Sequence, residues 1–231
     1  MYSERQSRLP GGVVWSKTGA VEGSAVLPDG CTDLIFDGHQ LLIAGPDRVA
    51  QPGSTADQSY PIVGLRMSSG IGPALWGVPG CELVDRRVPV SDIWPAADVE
   101  RLTALVAAAA DPASVLESIA ARRWRASPPD RTMIDIAARL RTGITVAEVA
   151  AMTGFSERQL LRRSLVAYGY GAKTLARILR LTVALDAAWA GAAFATVASD
   201  AGYADQAHLS RDVRELTGRT LSQLVARAGA G

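Results

Sequence analysis

The sequence predicts an α+β protein in which a β-rich N-terminal domain is followed by an all-α domain. Up to about residue 95, short apolar runs alternate with turn formers such as Pro28-Asp29-Gly30, which is typical of strands and tight turns. From Ala96 onward, alanine-rich segments follow a helical period. The prolines at 128 and 129 then break the chain. We therefore divide it into a β-rich part (1–95), a helical linker (96–127) and a helical domain (128–231).

Five apolar runs predict the strands of the β-rich part. The connections between them are short and rich in Gly, Pro and Asp, which favours neighbouring strands that run antiparallel. We expect the sheet to end near Val90. The predicted strands are Val13–Trp15, Ala25–Leu27, Leu34–Phe36, Leu41–Ile43 and Ile62–Leu65.

The linker contains two predicted helices. Val99, Leu102 and Val106 share one face of the first helix, together with Leu105. The second helix begins at Asp111-Pro112, where Asp suits the N-cap and Pro the first helical position. We expect these helices to bridge the two halves or to pair with a second copy in a homodimer.

The charge is distributed unevenly along the chain. From Pro128 to the C-terminus there are 13 Arg and Lys against 9 Asp and Glu, a net of +4, and before it 11 against 14, a net of −3. The basic part is the better candidate to bind a polyanion. We find no signal peptide and no uninterrupted apolar run of about 18 residues, so the sequence predicts a cytoplasmic protein without a membrane partner.

The helical domain contains a pattern that occurs twice. A short helix opened by the capping box Thr145–Glu148 leads into a turn at Gly154, and a second capping box, Ser156–Gln159, opens another helix. About 48 positions later, Val197-Ala198, Ala201-Gly202-Tyr203 and Asp205–Arg211 repeat the plan. A short helix, a glycine turn and a polar second helix constitute a helix-turn-helix motif.

These residues resemble the DNA-binding domain of AraC/XylS-type regulators, from about Arg131 to Leu224. The matching positions are Val149-Ala150, Gly154-Phe155, Arg162, Gly169, Arg180-Leu181, Ala184-Leu185, Val197-Ala198, Gly202-Tyr203, Arg211 and Gly218. The resemblance implies two helix-turn-helix units joined by one long helix, with recognition helices 156–166 and 205–215 in successive major grooves. It also implies a double-stranded DNA operator and RNA polymerase as partners.

The chain departs from this family at three places. Ala172 and Leu221 stand where a proline is usual, and Ser164 replaces an apolar residue. These departures bear on local stability, since none of them lies at an expected base-reading position.

Candidate DNA contacts follow from side-chain chemistry and helical spacing. Arg158 and Arg162 lie one turn apart, and Arg pairs well with guanine while Gln pairs with adenine. Six basic residues and no acidic one occur between Arg158 and Arg180, which favours phosphate contact. We expect the first unit to supply most of the affinity, because acids surround the second recognition helix. The candidates are Ser156, Arg158, Gln159, Leu161, Arg162, Arg163, Lys173, Arg177, Gln206, His208, Ser210 and Arg211.

The β-rich part resembles an N-terminal domain fused to such regulators in actinobacteria. The segments Leu27–Ile35, Val63–Arg66, Trp76–Pro79 and Arg86–Pro89 carry this resemblance, which implies that the domain senses a small-molecule effector. Candidate effector contacts are Cys31, Asp33, Arg66 and Trp76. An internal ion pair explains Asp33 and Arg66 equally well.

We predict that the chain is not an enzyme and has no cofactor or metal. It lacks the common nucleotide-binding, serine-hydrolase and zinc-protease motifs, and its two cysteines form no CxxC pair. The alternative hypothesis is a damage- or redox-sensing protein in which Cys31 or Cys81 reacts and a DNA-binding module is attached.

Overall fold

The computed structural model describes residues 1–19, 25–53 and 61–228. Its strands are β1 (Tyr2–Gln6), β2 (Gly12–Lys17), β3 (Ala25–Val26), β4 (Thr32–Phe36), β5 (Leu41–Ala44), β6 (Gln51–Pro52), β7 (Ile62–Met67) and β8 (Arg87–Pro89). Six of them form a sheet in the order β1-β2-β7-β4-β5-β8, and β3 pairs with β6. Each pairing is antiparallel, as the short connections predict.

The two faces of the sheet differ in burial: one packs against helices, and the other is only partly buried. In β4, Thr32, Leu34 and Phe36 are buried, whereas Asp33 and Ile35 between them are only partly buried. This alternation follows from the strand geometry, which turns successive side chains to opposite faces. The apolar runs predicted from the sequence coincide with the central strands β2, β4, β5 and β7.

The helices of the N-terminal half complete the first hydrophobic core. They are α1 (Gly72–Trp76), α2 (Gly80–Leu83), α3 (Ala96–Ala108) and α4 (Pro112–Ala126). This core runs from Val14 in the sheet to Ala120 in α4, and Trp76 lies fully buried within it. Val99 and Val106 of α3, with Leu116 and Ile119 of α4, thus belong to the same core as the sheet, whereas Leu105 of α3 is 52% exposed.

The C-terminal half is helical. Its elements are α5 (Arg131–Arg141), α6 (Val146–Thr153), α7 (Glu157–Tyr168), α8 (Ala172–Trp189), α9 (Phe194–Asp200), α10 (Gln206–Thr217) and α11 (Leu221–Ala228). One core spans Met133 to Leu179 and another spans Leu181 to Leu224, so α8 contributes to both. The predicted fold class, a β-rich part followed by two helical units joined by a long helix, is confirmed.

Among the described residues, no helix has both the length and the apolar character needed to cross a membrane.

Candidate DNA-binding surface

The first helix-turn-helix unit consists of α6, a glycine turn and α7. Thr145 accepts a hydrogen bond from the Glu148 N–H at 3.2 Å, and the Glu148 carboxylate accepts one from the Thr145 N–H at 2.8 Å. Gly154 then adopts φ +68°, a left-handed conformation that costs glycine little. Ser156 and Gln159 form a second reciprocal capping box at the start of α7. Both predicted capping boxes are confirmed, and together they fix where each helix begins.

One face of α7 is exposed along its whole length. Leu160, Ser164 and Tyr168 are buried, which turns Arg158, Leu161, Arg162 and Leu165 toward solvent. Leu161 is 51% exposed, although an apolar side chain gains nothing from water contact. Neither Arg158 nor Arg162 forms an ion pair or side-chain hydrogen bond with a described residue. This face therefore presents two unpaired guanidinium groups beside apolar surface.

The other predicted contacts of the first unit are partly engaged within the protein. The side chains of Ser156 and Gln159 are used in the capping box. Arg163 pairs with Asp130 at 3.0 Å and lies 4.6 Å from the centroid of the Phe155 ring. Lys173 is exposed near the start of α8.

The second unit consists of α9, a turn at Gly202 and α10. Asp205 caps α10 by accepting a hydrogen bond from the His208 N–H at 2.6 Å, so this acid has a structural role. The buried face of α10 leaves a polar stripe on the opposite side, comprising Gln206, Ala207, Ser210, Arg211 and Arg214. Sequence reasoning missed Ala207 and Arg214. A strict three- and four-residue spacing from Arg211 would have found both of them.

Arg177 faces α10 in an ion network instead of solvent. It pairs with Asp212 and Glu215, while Arg180 approaches Asp212 at 3.6 Å and lies 4.5 Å from the centroid of the Tyr203 ring. The Tyr203 hydroxyl donates to the same buried carboxylate at 3.0 Å. Burial, with Asp212 nearby, raises the pKa of Tyr203 above its ordinary value. This network joins α8 to α10 and orients the second recognition helix.

His208 packs beside this network. It is partly buried, and its ring meets that of Tyr203 edge-on at 5.1 Å between centroids. Its Nδ1 accepts a hydrogen bond from the Ala204 N–H at 3.4 Å. His208 therefore lies off the exposed stripe of α10.

Three of the four candidate effector residues lie together on one face of the sheet. Arg66 lies 3.4 Å from Asp33 and 3.5 Å from both Asp29 and Glu4. Burial raises the pKa of Asp33 and the Arg66 guanidinium opposes that rise. Cys31 lies two residues after Asp29, and its N–H donates a hydrogen bond to the Asp29 carboxylate at 2.9 Å. The charge of Arg66 is thus surrounded by carboxylates.

Trp76 is remote from that cluster. Its side chain is fully buried on the helical side of the sheet, and its Nε1 donates to the Thr32 hydroxyl at 3.2 Å. Thr32 and Asp33 point to opposite faces of β4, which separates Trp76 from Arg66.

The two cysteines are free thiols in different surroundings. Cys31 is partly buried, and burial followed by the nearby Asp29 raises the pKa of its thiol well above the ordinary value. A raised pKa disfavours the reactive thiolate. Cys81 is exposed. In residues 1–19, 25–53 and 61–228, no group of three or more His, Cys, Asp or Glu side chains is arranged to hold a metal ion.

The N-terminal half contacts the C-terminal ends of both recognition helices. Gly169, just after α7, packs against Gly80 so closely that a Cβ on Gly80 would lie 2.5 Å from the Gly169 nitrogen. At the end of α10, the Leu216 carbonyl accepts a hydrogen bond from the Ala50 N–H at 2.7 Å. The N-terminal half thus contacts the C-terminal end of each of these two helices.

Comparison with known proteins finds a family model that matches part of the helical half. Residues 149–227 match a family model described as a helix-turn-helix domain, and a search of curated proteins finds no match. This match includes both units and confirms the predicted architecture.

Three solved structures similar to this chain differ in how much of the chain they cover. A probable AraC family transcriptional regulator from Rhodopseudomonas palustris CGA009 is 24% identical and covers 43% of this chain and 98% of its own, with a TM-score of 0.37. ToxT from Vibrio cholerae O395 is 10% identical over 95% of this chain and 98% of its own, with a TM-score of 0.49. ToxT from Vibrio cholerae bound to an unsaturated fatty acid is 12% identical and covers 97% of this chain and 90% of its own, with a TM-score of 0.44.

Proposed function

We propose that this chain, whose residues 149–227 form a helix-turn-helix domain of the AraC type, is a sequence-specific transcription regulator that responds to an effector. The observation that carries the proposal is the exposed face of α7, which presents the unpaired Arg158 and Arg162. An exposed stripe on α10 provides the second reading surface.

Each recognition helix reads DNA by placing its exposed face in a major groove. Arg158 and Arg162 have the geometry to form paired hydrogen bonds with guanine, and Leu161 and Leu165 suit contact with thymine methyl groups. In the second unit, Gln206 suits adenine and Arg211 suits phosphate or guanine. Ser210 and Lys173 complete the proposed contacts. Arg177 and His208 are not among the proposed contacts. Arg177 pairs with Asp212 of α10, and the His208 ring packs against Tyr203 in the turn before α10.

The first unit supplies more of the affinity than the second. The exposed face of α7 carries two arginines without a protein partner, whereas α10 begins at the capping carboxylate of Asp205 and carries Glu215 on its surface. Carboxylates repel the DNA phosphates, and this repulsion reduces the affinity that the second unit contributes.

Effector binding acts through the packing between the two halves. A change in the N-terminal half that alters the contact of Gly80 with Gly169, or of Ala50 with Leu216, would shift the orientation of the recognition helices. An effector with different affinity for two such arrangements changes their populations.

The remaining assignments are also proposals. We place the protein in the cytoplasm with its DNA and assign it no catalytic activity, which the raised pKa of Cys31 supports. Contact with RNA polymerase and association of two copies through residues 96–127 stay predictions, as does the division at residues 95 and 127.

Selection of bound sequences from a random duplex library tests this function. We expect the purified full chain to enrich one motif with two conserved blocks about one helical turn, roughly 10 base pairs, apart. Enrichment of no motif would contradict sequence-specific binding. A single conserved block would contradict reading by both units.

A further inference from the structure

A groove of about 480 Å³ lies between α3 and α4, on the surface of the N-terminal half. Pockets of this size commonly hold small molecules. Trp94 lies at its base and is almost fully buried. Its apolar walls are formed by Leu102, Leu105, Val115 and Ile119.

The groove carries excess positive charge. Arg101 is paired with Asp98 at 3.0 Å, which neutralises the carboxylate that lines the groove. Arg122 and Arg123 also line it, and neither pairs with a carboxylate of any described residue. Two guanidinium groups are therefore available beside an apolar wall.

Arg123 is held in place by the protein but is not neutralised. Its guanidinium lies 4.2 Å from the centroid of the Trp94 ring, donates from Nε to the Leu75 carbonyl and from Nη2 to the Trp76 carbonyl at 3.4 Å. These bonds leave Nη1 donors available, since a guanidinium has five N–H groups. Burial lowers the pKa of Arg123, because desolvation disfavours its charged form.

We infer that this groove binds a small organic anion with an apolar body, such as an aliphatic or aromatic carboxylate. The apolar body lies along Leu102, Leu105 and Ile119, and the anionic group meets Arg122 and Arg123. A carboxylate there removes the uncompensated charge and forms charge-assisted hydrogen bonds. Residues 96–127 are also where the association of two copies is predicted, so a second copy seated in the groove is the competing occupant that the experiment below distinguishes.

The groove is also placed to act on the recognition helices. Arg123 holds the last carbonyls of α1, and Gly70, just before α1, packs against Tyr168 at the end of α7. An anion that draws the guanidinium toward itself weakens its hold on α1. Calling the ligand an effector rests on the proposed function, whereas its binding does not.

Fluorescence titration with anilinonaphthalene sulfonate, an apolar aromatic anion, tests the inference without DNA. We expect saturable binding to the folded full chain and displacement by decanoate at least about tenfold more effective than by decanol. Arg122→Glu reverses an exposed charge at the groove. Leu105→Glu places a carboxylate on the groove wall, at a side chain that is 52% exposed. Each should weaken binding by at least about tenfold. Near-UV circular dichroism verifies that both variants keep the native fold.

Arg125→Glu is the matched control, because Arg125 is exposed on α4 but does not line the groove. We expect it to bind the probe within about twofold of wild type. Equal weakening by Arg122→Glu and Arg125→Glu, or equal displacement by decanol and decanoate, would overturn the inference. So would a stable dimer that binds no probe, since that result assigns the groove to a second copy.

Discussion

Gly80 and Gly169 meet backbone to backbone: a Cβ on Gly80 would lie 2.5 Å from the nitrogen of Gly169. Gly169 ends the first recognition helix at φ +87°, and a Cβ there would approach Val84 at the same 2.5 Å. Only glycine at both positions permits this approach without a backbone shift. The contact links the position of α7 to the N-terminal half.

Gly80→Ala is expected to separate α2 from the end of α7, because the added methyl group meets backbone that cannot rotate away. The free energy of unfolding should fall by about 1 to 3 kcal/mol, and operator affinity should change along with it. Chemical denaturation and gel-shift titration measure the two effects.

Gly171→Ala is the control for that substitution. Gly171 has φ −65°, which alanine adopts readily, and its added Cβ would lie 3.3 Å from the flexible end of Leu161. We expect stability within about 0.5 kcal/mol of wild type. If both variants behave alike, the close packing of Gly80 has no special role.

The central strands and the paired helix-turn-helix units were predictable because each has a local signal. β2, β4, β5 and β7 are short apolar runs between turns, and α6 and α7 begin at capping boxes. β1 has no such signal, since each of its side chains is exposed and it is held through its pairing with β2 and through Arg5. Pairing with a distant residue leaves no local pattern to detect.

Glu117 ties α4 to β1 in a manner that depends on pH. Its buried carboxylate accepts hydrogen bonds from Arg5 at 3.0 and 3.1 Å, from Ser7 at 2.7 Å and from the Arg8 N–H at 2.8 Å. Burial alone would raise its pKa, but these bonds outweigh burial and lower the pKa to about 2. Stability from this site is therefore complete above the unfolded pKa of 4.5 and is lost as the pH falls toward 2.

Glu117→Gln should lower the free energy of unfolding by about 2 kcal/mol at pH 7, a value discounted for the half-exposed Arg5. The difference from wild type should shrink below about pH 4.5. Urea denaturation at several pH values measures it. A difference that does not vary with pH would show that the carboxylate charge is not what stabilises this contact.

Ser164 is fully buried, and its hydroxyl has no hydrogen-bond partner in the described part of the chain. Ser164→Ala should therefore raise the free energy of unfolding by about 1 kcal/mol, since a buried unpaired hydroxyl is costly. Ser69→Ala is the matched control with the opposite sign, because the buried Ser69 hydroxyl donates to the Gly30 carbonyl at 2.7 Å. Destabilisation by Ser164→Ala would indicate a hidden partner for that hydroxyl.

Asp212 is the buried carboxylate shared by Arg177, Arg180 and Tyr203. Asp212→Asn leaves Arg180 without its carboxylate partner and Arg177 with only the exposed Glu215. It should destabilise the protein by about 2 kcal/mol, below the value for fully buried pairs because both arginines are partly exposed. Glu215→Gln removes only an exposed partner and should cost under about 0.5 kcal/mol. Thermal unfolding of both variants distinguishes an ion network around Asp212 from an incidental surface pair.

The exposure of Arg158 and Arg162 on α7 was predictable from the sequence, whereas the surroundings of Arg177 were not. Arg158 and Arg162 are exposed, as their spacing predicts. Arg177 lies in a basic run that appeared suited to phosphate, yet its partners Asp212 and Glu215 come from 35 and 38 residues further along the chain. Sequence shows charge along one element, whereas ion pairing depends on which element packs against it.

Gel-shift titration of the selected operator with the double variant Arg158→Ala/Arg162→Ala tests the central claim most directly. We predict an affinity loss of at least about tenfold, with a smaller loss for Gln206→Ala/Arg211→Ala and none for Arg125→Ala, which removes an exposed arginine on α4. The double variant should also show a weaker dependence of affinity on salt. Operator affinity equal to that of Arg125→Ala would contradict DNA reading by the exposed face of α7.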